Sequence, residues 1–235
     1  MDSKIFLQIL NKSLIDLFKH PYLILPTLLI LISMFLLSKL SFKVIHLINS
    51  NTSQIIWSIV FSLASFLILA IFFSGLIGII QETIKKKRSS LKTFFISIKN
   101  YTLTNFILLV ILTILYSLIT LISLYLGGLF LKINDAMGQI AFLILLFGGL
   151  AGFMIFFSFA NIFCVTHKLD VIKSLKSSFN LVKKEYLSVL SISVIFFVIN
   201  ELISLIKEPY AEIIKTLIVL PYLALILVNF INSEQ

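Results

Sequence analysis

Apolar residues dominate this chain in six long runs, and short polar segments separate them. The runs cover about residues 21–40, 54–80, 101–131, 139–165, 186–206 and 213–230. The runs are 18 to 31 residues long, and an α-helix needs roughly twenty apolar residues to cross the hydrocarbon core of a bilayer. A soluble domain would confine its apolar positions to periodic stripes. The pattern therefore predicts an all-α, polytopic transmembrane bundle of six helices, which forms a single integral membrane domain over residues 1–235.

Three amphipathic segments precede the first, third and fifth runs. They cover residues 2–19, 81–100 and 167–188. In each segment the apolar residues recur at helical spacing and the basic residues fall mostly away from them. A helix of this kind lies in the membrane interface instead of crossing it. We therefore predict interfacial helices before spans 1, 3 and 5.

A pair of lysines marks each of these segments and suggests an internal repeat. The lysines of a pair are seven residues apart, at Lys12 and Lys19, Lys92 and Lys99, and Lys176 and Lys183. This spacing keeps both lysines on one helical face, where they can reach lipid headgroups. It predicts three repeats, 2–80, 83–165 and 167–230, each an interfacial helix followed by a transmembrane hairpin. The alternative is that any basic amphipathic helix in a lysine-rich chain shows the same spacing.

Composition and charge place this bundle in a membrane with a defined orientation. The chain is 60% hydrophobic and 12% charged, whereas a soluble domain carries about a quarter charged residues. The net charge is +9, and residues 1–20, 81–100 and 166–187 hold 14 of the 19 cations. The other side holds the remaining five: Lys39, Lys43, Lys132, Lys207 and Lys215. The positive-inside rule then predicts a plasma-membrane protein with both termini in the cytoplasm.

This distribution also bears on partners. Basic interfacial helices fit anionic lipid headgroups, so we expect membrane lipid as the partner and no nucleic acid. The six lysines of the three pairs are the candidate headgroup contacts. The sequence gives no prediction for a protein partner or an oligomeric state.

Four polar residues inside or near the runs are candidate intramembrane sites: Asn105, Asn161, Asn200 and Glu201. Charged groups within a span are costly and often functional. Glu201 therefore suggests a transporter or an export-related protein. In the alternative interpretation it reaches the outer interface, or pairs with Lys207 or Lys215. The amides of Asn105 and Asn161 fit hydrogen bonds between helices better than ligand binding.

Glycines mark two candidate packing positions. Gly75 and Gly78 lie near the inner end of the second run, where they allow close helix contact. Gly148 and Gly152 form the small-xxx-small pattern that lets two transmembrane helices touch.

No catalytic, cofactor or metal site is indicated. No GxSxG, P-loop or HExxH sequence is present, and the three histidines lie in separate boundary segments. Without a paired carboxylate or cysteine they do not form a metal set. Three function classes remain: a non-enzymatic membrane module that contacts lipid or a partner, a transporter that uses Glu201, and an enzyme acting on lipid. The lack of convergent polar residues disfavours the enzyme most, and we predict the first class, whose basic helices fit anionic headgroups.

Two stretches carry a resemblance to known proteins. The first is Phe18-Lys19-His20-Pro21 before an apolar run, and the second is the basic element 170–187 before a span. With these, the chain resembles a broad group of prokaryotic six-span proteins of unknown function. The group includes the membrane domain found beside glycerophosphoryl diester phosphodiesterases and the YciC-like inner-membrane proteins. The phosphodiesterase proteins carry a catalytic domain that does not follow residue 230 here, so the resemblance implies a membrane module and does not imply phosphodiesterase activity.

Overall fold

The computed structural model describes residues 3–46, 48, 50–87, 90–131 and 135–233, and this part of the chain is all-α. Six of its helices are long and apolar enough to cross a membrane, which confirms the predicted fold class. Arg88 and Lys132, which the charge count includes, lie outside the described residues. So do Asp2 of the first amphipathic segment and Ser89 of the second.

The α-helices of the described ranges follow one another with short connections. They are α1 (Ser3–Lys19), α2 (Ile24–His46), α3 (Asn51–Lys86), α4 (Leu91–Leu131), α5 (Asp135–Phe157), α6 (Ala160–Thr166), α7 (Val171–Lys184), α8 (Tyr186–Ser204), α9 (Tyr210–Ile214) and α10 (Leu220–Ser233). A 3-10 turn, Pro21–Leu23, leads into α2, and a π-helical turn, Lys215–Val219, joins α9 to α10. The six spans are therefore α2, α3, α4, α5 with α6, α8, and α9 with α10.

The π-helical turn has a local cause in Pro221. A proline ring clashes with the carbonyl group four residues earlier and removes one backbone hydrogen bond. That carbonyl belongs to Leu217, which lies inside the π turn. Transmembrane helices accommodate proline through local adjustments of this kind. The sixth span thus continues past Pro221 to Ser233.

The segment before span 3 differs from the prediction, because it is not a separate interfacial helix. Helix α4 runs without a break from Leu91 over 41 residues, or about 60 Å. The first segment is cut by His20-Pro21, and the third ends at Glu185, which caps α7. No proline or glycine separates Leu91 from Tyr101, so the helix continues directly into the span.

Span 4 also differs, because its helix is interrupted near the end. Helix α5 stops at Phe157 and α6 begins at Ala160. The hydroxyl group of Ser178, on α7, donates to the carbonyl oxygen of Phe156 at 2.7 Å and accepts from the amide of Phe159 at 3.3 Å. A side chain from another helix thus satisfies backbone groups that the interruption releases.

The buried core lies at one end of the bundle, where the last turns of α3, α6 and α10 meet. We call this the core end and define it by residues 74–83, 159–165 and 224–231, most of which are buried. The rings of Phe159 and Phe230 lie 5.6 Å apart, and Gln81 Nε2 donates to the carbonyl oxygen of Thr166 at 2.9 Å. Away from this end, many large apolar side chains are exposed, as expected for surfaces that face lipid.

Candidate functional site

Each of the three basic segments packs against the end of a span at the core end. Helix α1 packs on α10: Asn229 Nδ2 donates to Ser13 Oγ at 3.0 Å, and the hydroxyl group of Tyr222 donates to the carbonyl oxygen of Leu10 at 3.2 Å. Helix α7 packs on span 4 through the two hydrogen bonds of Ser178.

The start of α4 packs on the end of α3 through two glycines. A Cβ atom added at Gly75 would collide with the ring of Phe94, and one added at Gly78 would collide with the side chain of Ser97. These are the close helix contacts that the sequence predicts at Gly75 and Gly78. All three basic segments therefore surround the same end of the bundle.

The outward faces of the three segments share one arrangement. Each presents a phenylalanine to the surroundings: Phe18 is 75% exposed, Phe95 is 64% exposed and Phe179 is 44% exposed. The six predicted headgroup-contacting lysines are exposed as well: Lys12, Lys19, Lys92, Lys99, Lys176 and Lys183. Each segment thus combines a buried stripe, an exposed aromatic ring and exposed ammonium groups.

The three exposed phenylalanines belong to a shared sequence pattern that does not appear when the segments are aligned on their lysine pairs. The pattern Ser-Leu-x-x-x-Phe occurs in all three segments, at residues 13–18, 90–95 and 174–179. In each case the phenylalanine is the exposed one. Aligning the segments on this pattern still pairs Lys92 with Lys176. Compared with the alignment of the lysine pairs, it shifts the first segment by three residues, so that Lys12 pairs with position 89. The three-repeat arrangement itself stays a prediction.

Polar side chains converge in a cleft beside the core end, which we call the basic cleft. It consists of two adjoining grooves of about 510 and 350 Å³ that share Glu82, Lys86, Thr93 and Ile96. Lys92 lines the first groove. The second is lined by Lys85 of α3, Asn100 of α4 and Lys168 of the α6–α7 connection, among others. The basic cleft is therefore built from three separate parts of the chain.

Among the described residues that line the basic cleft, Glu82 is the one that carries a carboxylate. Its side chain is 9% exposed, and Oε1 lies 3.6 Å from the ammonium group of Lys86. The second oxygen, Oε2, is buried and has no hydrogen-bond partner among the described residues. Four lysines and one carboxylate leave the cleft with a positive net charge. It therefore favours a ligand that brings an anionic group to the lysines and a hydrogen-bond donor to Glu82.

The connection that carries Lys168 is conformationally defined. Lys168 has a φ of 56°, in the left-handed region that L residues rarely adopt. Two residues later, the carboxylate of Asp170 accepts from the amide of Lys173 at 2.9 Å and caps α7. This hydrogen bond, together with the ammonium group of Lys173, lowers the pKa of Asp170.

The asparagines of spans 3 and 4 lie at the same half of the bundle. Asn105 is buried, and its Nδ2 donates to Ser74 Oγ at 2.6 Å, which bridges α4 and α3. Asn161 lines a groove of about 380 Å³ between α4 and span 4, together with Tyr116 and Ser158. The Oδ1 atoms of both asparagines lack a hydrogen-bond partner within the described part of the chain.

The other predicted site residues belong neither to the basic cleft nor to the contacts of the three basic segments. Asn200 and Glu201 are exposed near the end of α8 and line none of the grooves described above. A Cβ atom added at Gly148 or Gly152 would meet no described atom within 4 Å. The helix contact predicted at this pair thus stays a prediction.

Comparisons with known proteins give one result about family. A family model described as a domain of unknown function, DUF7847, matches residues 6–231. No curated protein and no solved structure matches the chain. The family match extends from the first turns of α1 into the last turn of α10 and includes the core end and the basic cleft.

Proposed function

We propose that this chain, which belongs to the DUF7847 family of domains of unknown function, is a non-enzymatic membrane module. In this proposal its three basic segments contact anionic lipid at the cytoplasmic face of the plasma membrane. The resemblance to the YciC-like proteins and to the phosphodiesterase-associated membrane domain stays a prediction. It agrees with the proposal in that it implies a membrane module.

The observation that carries the proposal is the shared outward face of the three segments. Phe18, Phe95 and Phe179 are exposed beside lysines at one end of the bundle. Aromatic rings are favoured at the membrane–water boundary. Each lysine close to an anionic surface contributes about 1 kcal/mol of attraction. The buried stripes hold the segments against the spans, so the rings and ammonium groups are presented together.

A lipid-selectivity measurement tests this proposal. The full chain is reconstituted into nanodiscs of phosphatidylglycerol and phosphatidylcholine, and spin-labelled lipids report which headgroup is enriched around the protein. We expect phosphatidylglycerol to be enriched. Replacing Lys12, Lys19 and Lys176 together with glutamine should lower the enrichment at least about threefold, because three attractive contacts are lost.

The matched control removes three exposed cations from the opposite end. A variant with Lys39, Lys43 and Lys207 replaced by glutamine has the same net charge as the test variant. It should keep the enrichment within a factor of about 1.5, since screening confines each charge to its surroundings. Equal loss in both variants, or no enrichment in the wild-type chain, would show that the three segments do not select anionic lipid.

The transporter alternative has weaker support. It requires polar groups that converge in the middle of the bundle, and Glu201 is exposed near the end of α8 instead. Asn161 does line a groove within the span region, but Glu201 and Asn200 do not share it. We therefore retain the lipid-contacting module as the proposal.

A further inference from the structure

We propose that the basic cleft binds the headgroup of an aminophospholipid, with the lipid phosphate held by the lysines and the lipid ammonium group held by Glu82. The proposal deepens the function above and rests on it, because it assigns one lipid class to one site. It differs from general attraction to anionic lipid, since an aminophospholipid such as phosphatidylethanolamine carries no net charge.

The phosphate half of the ligand is indicated by the lysines. Lys85 and Lys86 come from the last turn of α3, Lys92 from the first turn of α4, and Lys168 from the α6–α7 connection. Hydrogen bonds from ammonium groups to phosphate are charge-assisted and about twice as strong as neutral ones. The left-handed backbone conformation of Lys168 sets the direction in which its side chain leaves the backbone. Lys86 lines both grooves, so a phosphate in either one has this ammonium group and at least one further lysine along its wall.

The ammonium half is indicated by Glu82. Its side chain is nine-tenths buried, and Oε2 has no partner among the described residues. A buried polar atom without a hydrogen bond costs about 1–3 kcal/mol, and more when it is charged. Lys86 lies 3.6 Å from Oε1, which is longer than a hydrogen bond. A primary ammonium group would supply the missing donor and leave Lys86 to contact the phosphate.

Simple anions fit the cleft less well. An inorganic phosphate would satisfy the lysines but would place a second negative charge beside Glu82, where like charges repel. A choline headgroup has the same phosphate and the same net charge, but its quaternary nitrogen has no N–H group to donate. The pairing of lysines with a buried carboxylate therefore favours a headgroup with a primary amine.

The position of the cleft also suits a lipid. Ile96 lines both grooves, and its side chain is exposed on α4 next to the exposed ring of Phe95. This apolar wall continues along the lipid-facing surface of α4 through Leu103, which is exposed as well. A headgroup in the cleft can thus keep its acyl chains on the apolar surface of the span.

Native mass spectrometry of the full chain in detergent tests the proposal. Phosphatidylethanolamine and phosphatidylcholine of identical acyl chains are added together, and the bound ratio is measured. We expect several-fold more phosphatidylethanolamine on the wild-type chain. In Glu82→Gln the ratio should fall at least threefold, because the charge that recognises the amine is lost. Glu201→Gln makes the same chemical change at an exposed site and should leave the ratio unaltered.

Two further measurements identify the source of the ligand and control for misfolding of the Glu82 variant. Soluble glycerophosphoethanolamine should displace the bound lipid at lower concentration than inorganic phosphate does; equal potency would overturn the proposal in favour of a free-anion site. Lys85→Gln changes an exposed side chain, so it should fold. It should lower the binding of both lipids by the same factor without altering their ratio.

The outcomes separate this proposal from the general function. If the wild-type chain does not discriminate between the two lipids, or if Glu82→Gln keeps full discrimination, the aminophospholipid site is overturned. Enrichment of phosphatidylglycerol through Lys12, Lys19 and Lys176 could still hold in that case. If that enrichment also fails, the lipid-contacting function fails with it.

Discussion

The side-chain amide of Asn229 donates a hydrogen bond to the hydroxyl group of Ser13 at 3.0 Å, and both side chains are buried. This contact joins the last helix of the chain to the first, across 216 residues. Above and below it, the buried side chains of Ile9 and Leu17 continue the same stripe of α1 into the core end. The contact therefore fixes the position of α1 on the bundle.

Replacing Ser13 with alanine should release α1, because the buried amide of Asn229 then loses its acceptor. The expected cost is about 1–3 kcal/mol of unfolding free energy, measured by thermal or denaturant unfolding in detergent. Trypsin cleavage at Lys12 and Lys19 should accelerate in parallel. The double variant Ser13→Ala, Asn229→Leu removes both polar partners and should recover part of the loss. Ser62→Ala, at an exposed hydroxyl group, serves as the control and should change little.

Replacing Ser178 with alanine should weaken the junction between α7 and span 4. The carbonyl oxygen of Phe156 and the amide of Phe159 would both lose a partner in a buried environment. We expect a loss of about 1–3 kcal/mol in unfolding free energy and faster hydrogen exchange at residues 156–163. The neighbouring substitution Ser177→Ala is the matched control. Equal stability of the two variants would mean that the interruption in span 4 does not depend on Ser178.

Replacing Gly78 with alanine should destabilise the packing of α3 on α4, because the added methyl group would collide with Ser97. Overpacking of this kind costs about 1–3 kcal/mol. Gly148→Ala makes the same change at a position with open space. There the better helix propensity of alanine should be neutral or stabilising by up to about 1 kcal/mol. Unfolding curves of the two variants provide the comparison, and Gly78→Ala, Ser97→Gly should restore part of the lost stability.

The cap of α7 should make the stability of that helix depend on acidity. The pKa of Asp170 is lowered by the hydrogen bond to the Lys173 amide. A carboxyl group with a lowered pKa contributes stability above its ordinary pKa of 3.8, and this contribution is lost as the pH falls through the lower value. The protection of α7 amides against hydrogen exchange, corrected for the intrinsic rate at each pH, should therefore fall below about pH 4. Asp170→Asn keeps a capping side chain and should remove this pH dependence, whereas Asp170→Ala should weaken α7 at every pH.

The orientation of the bundle can be tested with single cysteines. Cys164 is the single cysteine of the chain and is buried, so Cys164→Ala provides a background without thiols. In intact cells, a membrane-impermeant maleimide should label Lys43→Cys but leave Lys183→Cys unlabelled until the cells are opened. The positive-inside rule predicts this outcome because the core end carries most of the basic residues. The reverse labelling pattern would place the basic segments outside the cell.

The sequence predicts the spans well because length and apolarity alone decide whether a helix can cross a bilayer. The interruption of span 4 could not be predicted, since it depends on Ser178, a residue of a different helix. The basic cleft likewise combines Glu82, Lys92 and Lys168 from three elements, and their proximity exists only after folding. Glycine patterns alone did not distinguish Gly78, which has a close neighbour, from Gly148, which has open space.

For aligning the three segments, the pattern of buried and exposed side chains is a better guide than the positions of the lysines. Lysines on an exposed face can occupy several neighbouring positions without a loss of stability, so their spacing defines the register loosely. The Ser-Leu-x-x-x-Phe pattern is tied to which side chains are buried and which are exposed, as Ser13 and Phe18 show. Searching for a shared apolar and hydroxyl pattern, instead of shared cations, would have found it in the sequence.

The contact between Ser13 and Asn229 has a consequence for biosynthesis. Helix α1 leaves the ribosome before α10, on which it docks, so the core end can be completed only after α10 has been translated. Until then the stripe of Ile9 and Leu17 lacks the surface of α10 that covers it, and exposed apolar surface of this kind favours aggregation. A chain that stops before Asn229 would keep this stripe uncovered, so exposure of the stripe on α1 would indicate that α10 is missing.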